Sequence, residues 1–418
     1  MNKVILILVL AVAGLSVLGQ QKEELSAGYW RGELERADGN NIVFSFEVKD
    51  SAGAPRLYLR NAEERLLVDD VTVAGDSVFI ILPFFDSQFR ALRIGDTLLK
   101  GVWIKRLADR NVVMPFVAKN MGSKGYRFQI TSVRTAVNIS GRWATTFINP
   151  ANNKESKAVG VFNQFGTTLT GSFITPYGDY RYLEGVVDGD SLKLSGFDGG
   201  YAIYFTAKVN DANTISGGKF YSGSGLVSRP WTATKDASAM LEPESPASML
   251  NSGVASKLNF TFNDTAGNPV SNTDVKFKNK VLVIQLLGSW CPNCMDETRF
   301  LNEIYDKYHT KGVAVLGLAY ERTGDFSRSR QSVNNFMRRL NVKYPVLIPP
   351  VAATDPENAA KTLPQLKRIV AFPTTIFTDR QGNIQKVHSG FNGPGTGTDY
   401  EKQKKEYIDI IEALLEQG

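Results

Sequence analysis

The stretch Lys280–Glu297, KVLVIQLLGSWCPNCMDE, decides the fold of the C-terminal part of this chain. It opens with the continuous apolar run Val281–Leu287, which is typical of a strand buried on both faces of a parallel sheet. Cys291 and Cys294 follow, and from Phe300 onwards apolar residues recur at helical spacing. The pattern predicts that the Cys-Pro-Asn-Cys motif lies where a buried strand gives way to the N-terminus of a helix.

Two cysteines at a helix N-terminus have a specific chemistry. Unpaired backbone N–H groups and the positive end of the helix dipole favour the thiolate form of Cys291. The two intervening residues, Pro292 and Asn293, let Cys294 reach back, so Cys291 is predicted to attack a disulfide and Cys294 to resolve the mixed disulfide. Pro292 suits the first helical position, where its missing N–H would be unpaired anyway. With Trp290 flanking the motif, these features predict a redox-active site.

Other roles for the cysteines fit the sequence less well. A zinc site would need His309 and His388, the only two histidines, and their spacing from the cysteines fits no compact zinc finger. A structural disulfide that closes so short a loop would contribute little stability. With 2 cysteines in 418 residues, a disulfide-stapled scaffold is excluded. The sequence therefore predicts neither a metal nor a cofactor.

Three stretches of the C-terminal region resemble the TlpA/ResA-type thiol–disulfide oxidoreductases, extracytoplasmic members of the thioredoxin superfamily. They are Phe260–Ser271, Lys280–Glu297 and Phe372–Ile384. The resemblance covers about residues 255–418 and implies an α/β thioredoxin-like domain, which we place at residues 257–418. It also implies that Pro373 is the family's cis-proline, which lies beside the catalytic cysteines, with Phe372 as a supporting residue.

Two positions near the dithiol concern proton transfer. Gln285 stands where cytoplasmic thioredoxins carry a buried aspartate, the acid that usually serves proton transfer to the inner cysteine. Glu297, three residues after Cys294, matches an acidic position of the TlpA/ResA group. We predict that Glu297 accepts the proton of Cys294. The alternative, a first-turn charge that only stabilises the helix dipole, stays open at this stage.

The segment from Tyr320 to Ala371 is longer than a minimal thioredoxin needs and contains several arginines. They are Arg322, Arg328, Arg330, Arg338 and Arg339. A solvated helix face is one interpretation of this charge, and a docking surface for an acidic partner is the other.

The N-terminal region, residues 24–235, has the pattern of an all-β structure. Alternating runs such as Ile42–Val48 are separated by turn clusters rich in Gly, Asp and Asn. Similar short motifs recur about 113 residues apart, such as a Gly-x-Trp opening that ends at Trp30 and at Trp143. We predict two tandem β-units.

The predicted boundaries are residues 24–120 for the first unit, 138–235 for the second, which repeats the first, and 236–256 for a Pro- and Ser-rich linker. The Gly-x-Trp opening resembles small lipocalin-like barrels, in which the Trp plugs one end. Plain core packing of Trp30 and Trp143 is the alternative.

Residues 1–19 have the pattern of a secretory signal peptide. Lys3 precedes the apolar run Val4–Val12, and small residues follow it. An uncleaved anchor is disfavoured because the run is shorter than the ~20 residues that span a bilayer. No cysteine follows the run, so a lipobox is excluded. We expect a processed chain that is periplasmic or otherwise extracytoplasmic and not itself transmembrane.

Charge and motif together suggest a function. Lys+Arg number 48 and Asp+Glu 42, a weak excess without a basic stripe, so no nucleic-acid partner is predicted. We expect a protein disulfide reductase whose β-region docks a partner or substrate. The resemblance implies disulfide-containing envelope proteins as substrates, a membrane electron donor of the DsbD/CcdA type, and cytochrome c maturation as one family role.

Two alternatives remain open at this stage. In the first, the β-region is a ligand- or protein-binding module in its own right, and the thioredoxin-like domain is accessory to it. The other alternative is a peroxiredoxin-like peroxidase, which would want a threonine a few residues upstream of its reactive cysteine. Ser289-Trp290 does not provide that pattern.

Overall fold

The structure is a computed structural model that describes residues 24–51, 54–133, 136–242, 250–251, 256–355, 357 and 361–417. The predicted signal peptide lies outside the described residues, and so do 243–249 and 252–255 of the predicted linker. Within the described ranges, residues 24–235 form strands and no helix, as predicted for an all-β region. Among the helices that the structure describes, none combines the length and the apolar composition that crossing a membrane requires.

The first β-sheet is an antiparallel meander. Its strands are β1 (Gly28–Leu34), β2 (Ile42–Ser51), β3 (Ala54–Asn61), β4 (Glu64–Val68), β5 (Asp70–Ala74), β6 (Ser77–Ile81), β7 (Ser87–Ile94), β8 (Leu98–Arg106) and β9 (Asn111–Asn120). They are ordered β4-β3-β2-β1-β9-β8-β7-β6-β5, so the first and last strands are neighbours. Side chains along β1 and β6 alternate between buried and more exposed positions, as the period-2 sequence pattern requires.

The second β-sheet closes on itself. Its strands are β10 (Gly141–Ile148), β11 (Glu155–Phe165), β12 (Thr168–Thr175), β13 (Gly178–Asp179), β14 (Leu183–Asp188), β15 (Ser191–Phe197), β16 (Ala202–Val209), β17 (Thr214–Ser222) and β18 (Arg229–Lys235). The order is β11-β10-β18-β17-β16-β15-β14-β12-β13, and an additional β11–β12 pairing completes a barrel. Its interior is a packed aromatic core that includes Phe147, Phe173, Phe205 and Trp231.

The two β-sheets begin in the same local way. Trp30 and Trp143 are both 0% exposed and both are the third residue of their first strand. The indole of Trp30 donates to the carbonyl of Ser26 at 3.0 Å, and that of Trp143 donates to Ile139 at 2.8 Å. In each case the acceptor is four residues upstream. In each sheet, the strand that carries the tryptophan pairs with the last strand of the sheet.

In the C-terminal region, the described residues include a third sheet and three long α-helices. The strands are β19 (Thr261–Asp264), β20 (Pro269–Ser271), β21 (Val281–Leu287), β22 (Val313–Ala319), β23 (Val346–Ile348), β24 (Thr374–Thr378) and β25 (Ile384–Ser389), and the helices are α1 (Pro292–Tyr308), α2 (Phe326–Leu340) and α3 (Thr398–Glu416). The sheet order is β20-β19-β23-β22-β21-β24-β25, with β21, β22 and β23 parallel. Every residue of β21 is buried, so this strand fixes the position of the cysteines that follow it.

The arginine-rich segment contacts the first β-sheet. Arg328 of α2 donates to the carbonyls of Leu107 and Ala108 at 2.8 and 3.2 Å, and Arg339 pairs with Asp69. For these two arginines the interpretation as a solvated helix face is therefore wrong, because their guanidinium groups bind the neighbouring sheet. The remaining helical arginines, Arg330 and Arg338, are exposed.

Candidate active site

The two cysteines lie at the N-terminus of α1, directly after β21. Cys291 is the N-cap residue, and its sulfur accepts a hydrogen bond from the backbone N–H of Cys294 at 3.3 Å. Pro292 occupies the first turn of the helix, where no N–H donor is needed. Both cysteines are free thiols. An acceptor sulfur at the N-cap satisfies one of the otherwise unpaired N–H groups, and this contact is stronger for a thiolate than for a thiol.

The segment before β24 forms the opposite side of the dithiol. The thiol of Cys291 donates to the carbonyl of Phe372 at 3.3 Å, and the Phe372–Pro373 peptide bond is cis. The ring of Phe372 meets that of Trp290 edge-on at 5.6 Å between centroids, and the Trp290 indole donates to the carbonyl of Tyr320 at 3.0 Å. The fold thus brings together the tryptophan, the first cysteine and the proline that the sequence singled out.

Cys294 is chemically unlike Cys291 because it is completely buried. Burial first, and then the adjacent Cys291, raise the pKa of the Cys294 thiol well above its ordinary value. The charge of Glu297 acts in the same direction. A thiol in this environment keeps its proton at neutral pH, so its reaction as a nucleophile requires a group that takes the proton.

Glu297 is buried in the second turn of α1. One carboxylate oxygen, Oε1, accepts hydrogen bonds from the hydroxyls of Thr375 at 2.6 Å and Tyr407 at 2.8 Å. The other oxygen, Oε2, is buried without a hydrogen-bond partner among the described residues. Burial raises the pKa of this carboxyl group to about 7, although both hydroxyls lower it. The interpretation as a first-turn charge is wrong, because the first turn of α1 holds no acidic residue.

Gln285 ties the strand to the helix. Its side chain is 0% exposed, its amide N–H donates to the carbonyl of Cys294 at 3.3 Å, and its carbonyl accepts from the hydroxyl of Thr298 at 3.0 Å. A neutral side chain at this position cannot exchange a proton with the thiol. Two buried acids follow Cys294 closely, Asp296 and Glu297. Asp296 is paired with the guanidinium of Arg181, so Glu297 is the one whose carboxylate has no cationic partner among the described residues.

A second carboxylate fixes the turn before the dithiol. Glu321 accepts hydrogen bonds from the backbone N–H and the hydroxyl of Ser289, both at 2.8 Å. Burial raises the pKa of Glu321 to about 7. The guanidinium of Arg322 lies 5.0 Å from the centroid of the Trp290 ring. Sequence reasoning missed Glu321, because it follows β22 and is separated from the motif by more than 25 residues.

The second β-sheet also contributes to this site, which the sequence did not indicate. The Asn293 side-chain N–H groups donate to the carbonyl and carboxylate of Asp179 at 2.9 and 2.8 Å. The Asn293 oxygen accepts from the hydroxyl of Tyr201 at 2.7 Å. A Cβ atom on Gly200 would lie only 2.6 Å from the ring of Pro292. Both residues between the cysteines are therefore covered by the β-region.

A buried arginine joins the two β-sheets of the N-terminal region to helix α1 beside the dithiol. Arg181 binds Asp296 of α1 through two N–H groups at 2.7 and 3.0 Å. The same guanidinium binds Asp198 and Glu64, each at 2.6 Å. All four side chains are at most 7% exposed. Because the four charges lie in four separate parts of the sequence, the pattern carried no signal for this cluster.

The two histidines take part in unrelated contacts. His309 meets the carbonyl of Tyr305 at 2.7 Å, and His388 meets the amide of Gln403 at 2.9 Å. In the part of the chain that the structure describes, no group of three or more His, Cys, Asp or Glu side chains is arranged to hold a metal ion.

Comparison with known proteins assigns the C-terminal region. A protein-family model described as Redoxin matches residues 253–404. The thiol-disulfide oxidoreductase ResA of Bacillus thuringiensis subsp. konkukian (strain 97-27) is 27% identical over 154 residues, which cover 37% of this chain and 75% of the relative. ResA of Bacillus subtilis (strain 168) is 25% identical over 153 residues, 37% of this chain and 72% of the relative. The C-terminal region carries a Redoxin domain homologous to these proteins.

Solved structures also match a part of this chain. A putative thiol:disulfide interchange protein DsbE from Chlorobium tepidum has 20% identity and a TM-score of 0.30, and the match covers 40% of this chain and 99% of that one. The C-terminal domain of a putative thiol-disulfide oxidoreductase from Bacteroides thetaiotaomicron has 20% identity and a TM-score of 0.28, over 37% and 97% of the two chains.

Proposed function

We propose that this chain, an oxidoreductase whose C-terminal domain is thioredoxin-like, reduces disulfide bonds of proteins outside the cytoplasm. The observation that carries the proposal is the asymmetry of the two thiols. Cys291 caps α1 and accepts a backbone N–H, whereas Cys294 lies fully buried behind it. This arrangement suits one attacking and one resolving thiol.

The reaction proceeds in two exchanges. The thiolate of Cys291 attacks one sulfur of the substrate disulfide, forms a mixed disulfide and releases the other substrate sulfur as a thiolate. Cys294 then loses its proton and attacks the sulfur of Cys291. The second substrate thiol leaves, and the enzyme keeps a Cys291–Cys294 disulfide. Two electrons have passed from the enzyme to the substrate.

We propose that Glu297 accepts the proton that Cys294 loses when it attacks. Its buried carboxylate has a pKa of about 7, so it is poised to take or return a proton near neutral pH. The free oxygen Oε2, which has no hydrogen-bond partner among the described residues, supports this role. The two hydroxyls of Thr375 and Tyr407 hold the other oxygen in place.

The proposed location is the periplasm or another extracytoplasmic compartment. It rests on the signal-peptide pattern of residues 1–19. In an oxidising compartment, a reductase needs a supply of electrons, so we propose a membrane donor of the DsbD/CcdA type that reduces the enzyme disulfide after each turnover. Disulfide-containing envelope proteins, including those of cytochrome c maturation, are the proposed substrates.

We assign the β-region to partner or substrate docking, because its second sheet contacts the residues between the two cysteines. The closed ring of the second sheet and its buried opening tryptophan support the lipocalin-like resemblance. A ligand-binding role inside the barrel is less well supported, since aromatic side chains fill its interior.

Trapping of substrate tests the proposed function. Cys294→Ser should accumulate mixed disulfides with envelope proteins, because the first exchange proceeds and the second cannot. Cys291→Ser, the matched control, should trap nothing, and neither variant should reduce insulin. Equal trapping by both variants would contradict the assignment of Cys291 as the attacking thiol and Cys294 as the resolving thiol. Failure of the unaltered protein to reduce insulin would count against a reductase.

A further inference from the structure

Two short segments of the second β-unit cover the residues between the two cysteines; we name residues 178–180 and 199–201 the cap segments. We propose that the cap segments determine which substrates react: they close the approach to Cys291, and a disulfide reaches its sulfur only when they move away from Pro292 and Asn293. This inference rests on the proposed function and specifies how access to that same site is controlled.

The burial of the reactive sulfur carries the first step of the argument. Attack on a disulfide requires the attacking sulfur to touch one sulfur of the substrate. Cys291 is only 4% exposed, and Pro292 and Asn293, which would form the outer surface of the motif, are buried as well. A disulfide held in a polypeptide is far larger than the small exposed part of Cys291. The arrangement described here is therefore a closed state of the reduced enzyme.

The contacts show that the cap segments fit the Cys-Pro-Asn-Cys motif specifically. Asn293 uses its N–H groups on Asp179 and its oxygen on Tyr201, so its side-chain amide is bound from both ends. Two glycines make room for the motif. A Cβ atom on Gly178 would lie 2.9 Å from the Asn293 nitrogen, and one on Gly200 would lie 2.6 Å from the Pro292 ring.

Water can replace the hydrogen bonds between Asn293 and the cap segments. Hydrogen bonds to an amide can be exchanged for hydrogen bonds to solvent at small net cost, so the Asn293 contacts can open without leaving a group unpaired. The Arg181 cluster is different, because it would leave several charges buried without partners. Opening is thus expected at the tips of the cap segments, while Arg181 keeps the β-region attached to α1.

Alkylation of the reduced, full-length protein tests the closed state without requiring turnover. The rate of Cys291 modification is measured against pH with iodoacetamide and with a maleimide that carries a polyethylene glycol chain. The plateau at high pH reports access to the thiolate, whereas the midpoint reports its acidity. The variants are Gly200→Ala, whose new methyl group displaces the cap from Pro292, and Tyr201→Phe, which removes one hydrogen bond to Asn293.

We expect the plateau to rise at least tenfold in Gly200→Ala and about threefold in Tyr201→Phe, with the larger gain for the bulky reagent. Gly225→Ala, at an exposed glycine of the same β-unit where a Cβ meets nothing closer than 3.4 Å, should match the unaltered protein. If Gly200→Ala does not fold, Tyr201→Phe decides. Unchanged plateaus, or a shift of the midpoint alone, would overturn the closed state. A raised plateau in a protein that does not reduce insulin would overturn the proposed function and leave the cap standing.

Discussion

Replacing Glu297 by glutamine should remove a pH dependence from the stability of this protein. In the folded chain, burial raises the pKa of Glu297 to about 7 from an ordinary value of 4.5. The folded state therefore holds this proton over a range where the unfolded state has lost it, and stability falls as pH rises through that range. The difference between these two pKa values corresponds to about 3 kcal/mol of unfolding free energy, at ~1.4 kcal/mol per pKa unit.

Urea unfolding of the protein and of Glu297→Gln at pH 4.5, 6 and 8 measures this effect. Glutamine cannot ionise, so the variant should gain about 3 kcal/mol relative to the unaltered protein between the lowest and highest pH. The glutamine side chain also places an N–H group where Glu297 has an oxygen. Any stability lost for that reason does not change with pH, so it cancels from this comparison. Asp179 and Glu321, whose pKa values burial also raises to about 7, titrate in both proteins and cancel too.

The same substitution should slow the enzyme while removing this part of the loss of stability at high pH. If Glu297 takes the proton of Cys294, its loss should reduce insulin turnover at least tenfold, as expected for removal of a general base. Glu303→Gln, at an exposed position of the same helix, is the matched control and should change neither property. Parallel stability curves for the two proteins would refute the raised pKa. Unchanged turnover would refute the proton-transfer role.

The remaining predictions concern buried groups of the β-region. Arg181→Met should cost about 3–5 kcal/mol in urea unfolding at neutral pH, because Glu64 and Asp198 would stay buried without a guanidinium partner and Asp296 would keep only Arg299. A cost below about 1 kcal/mol would mean that these carboxylates are solvated. Trp30→Phe and Trp143→Phe should each lower stability by about 1–3 kcal/mol, since each loses a hydrogen bond and part of a packed ring. Fluorescence-monitored melting compares them, and a large difference between the two would contradict their equivalent local environments.

The dithiol and its surroundings were predictable because their signals are local. A buried strand, a cysteine at a helix start and a proline at the first turn lie within a dozen residues, and each follows from the chemistry of its neighbours. The contact of Phe372 with Cys291 spans 81 residues, and only the family resemblance pointed to it. The burial of Glu297 was not predictable from spacing alone, because a position one turn beyond Cys294 fits both a dipole charge and an inward-facing acid.

The role of the β-region in the site was beyond sequence reasoning. Asp179 and Tyr201 lie 114 and 92 residues from Asn293, and nothing in their local patterns marks them as partners of the motif. The arginines of α2 show the same difficulty, because charge on an amphipathic helix indicates solvent unless the opposing surface is known. That surface is the first β-sheet, which the chain supplies itself.

The order of the chain has a consequence for how the dithiol is made. The residues that cover Asn293 and Pro292 are synthesised before the two cysteines, and domains generally fold in the order in which they emerge. By the time Cys291 and Cys294 are translated, the β-region can already present the surface that receives them. A thiol pair that docks on a finished surface spends little time exposed, so the nascent chain is protected from mispaired disulfides with its neighbours.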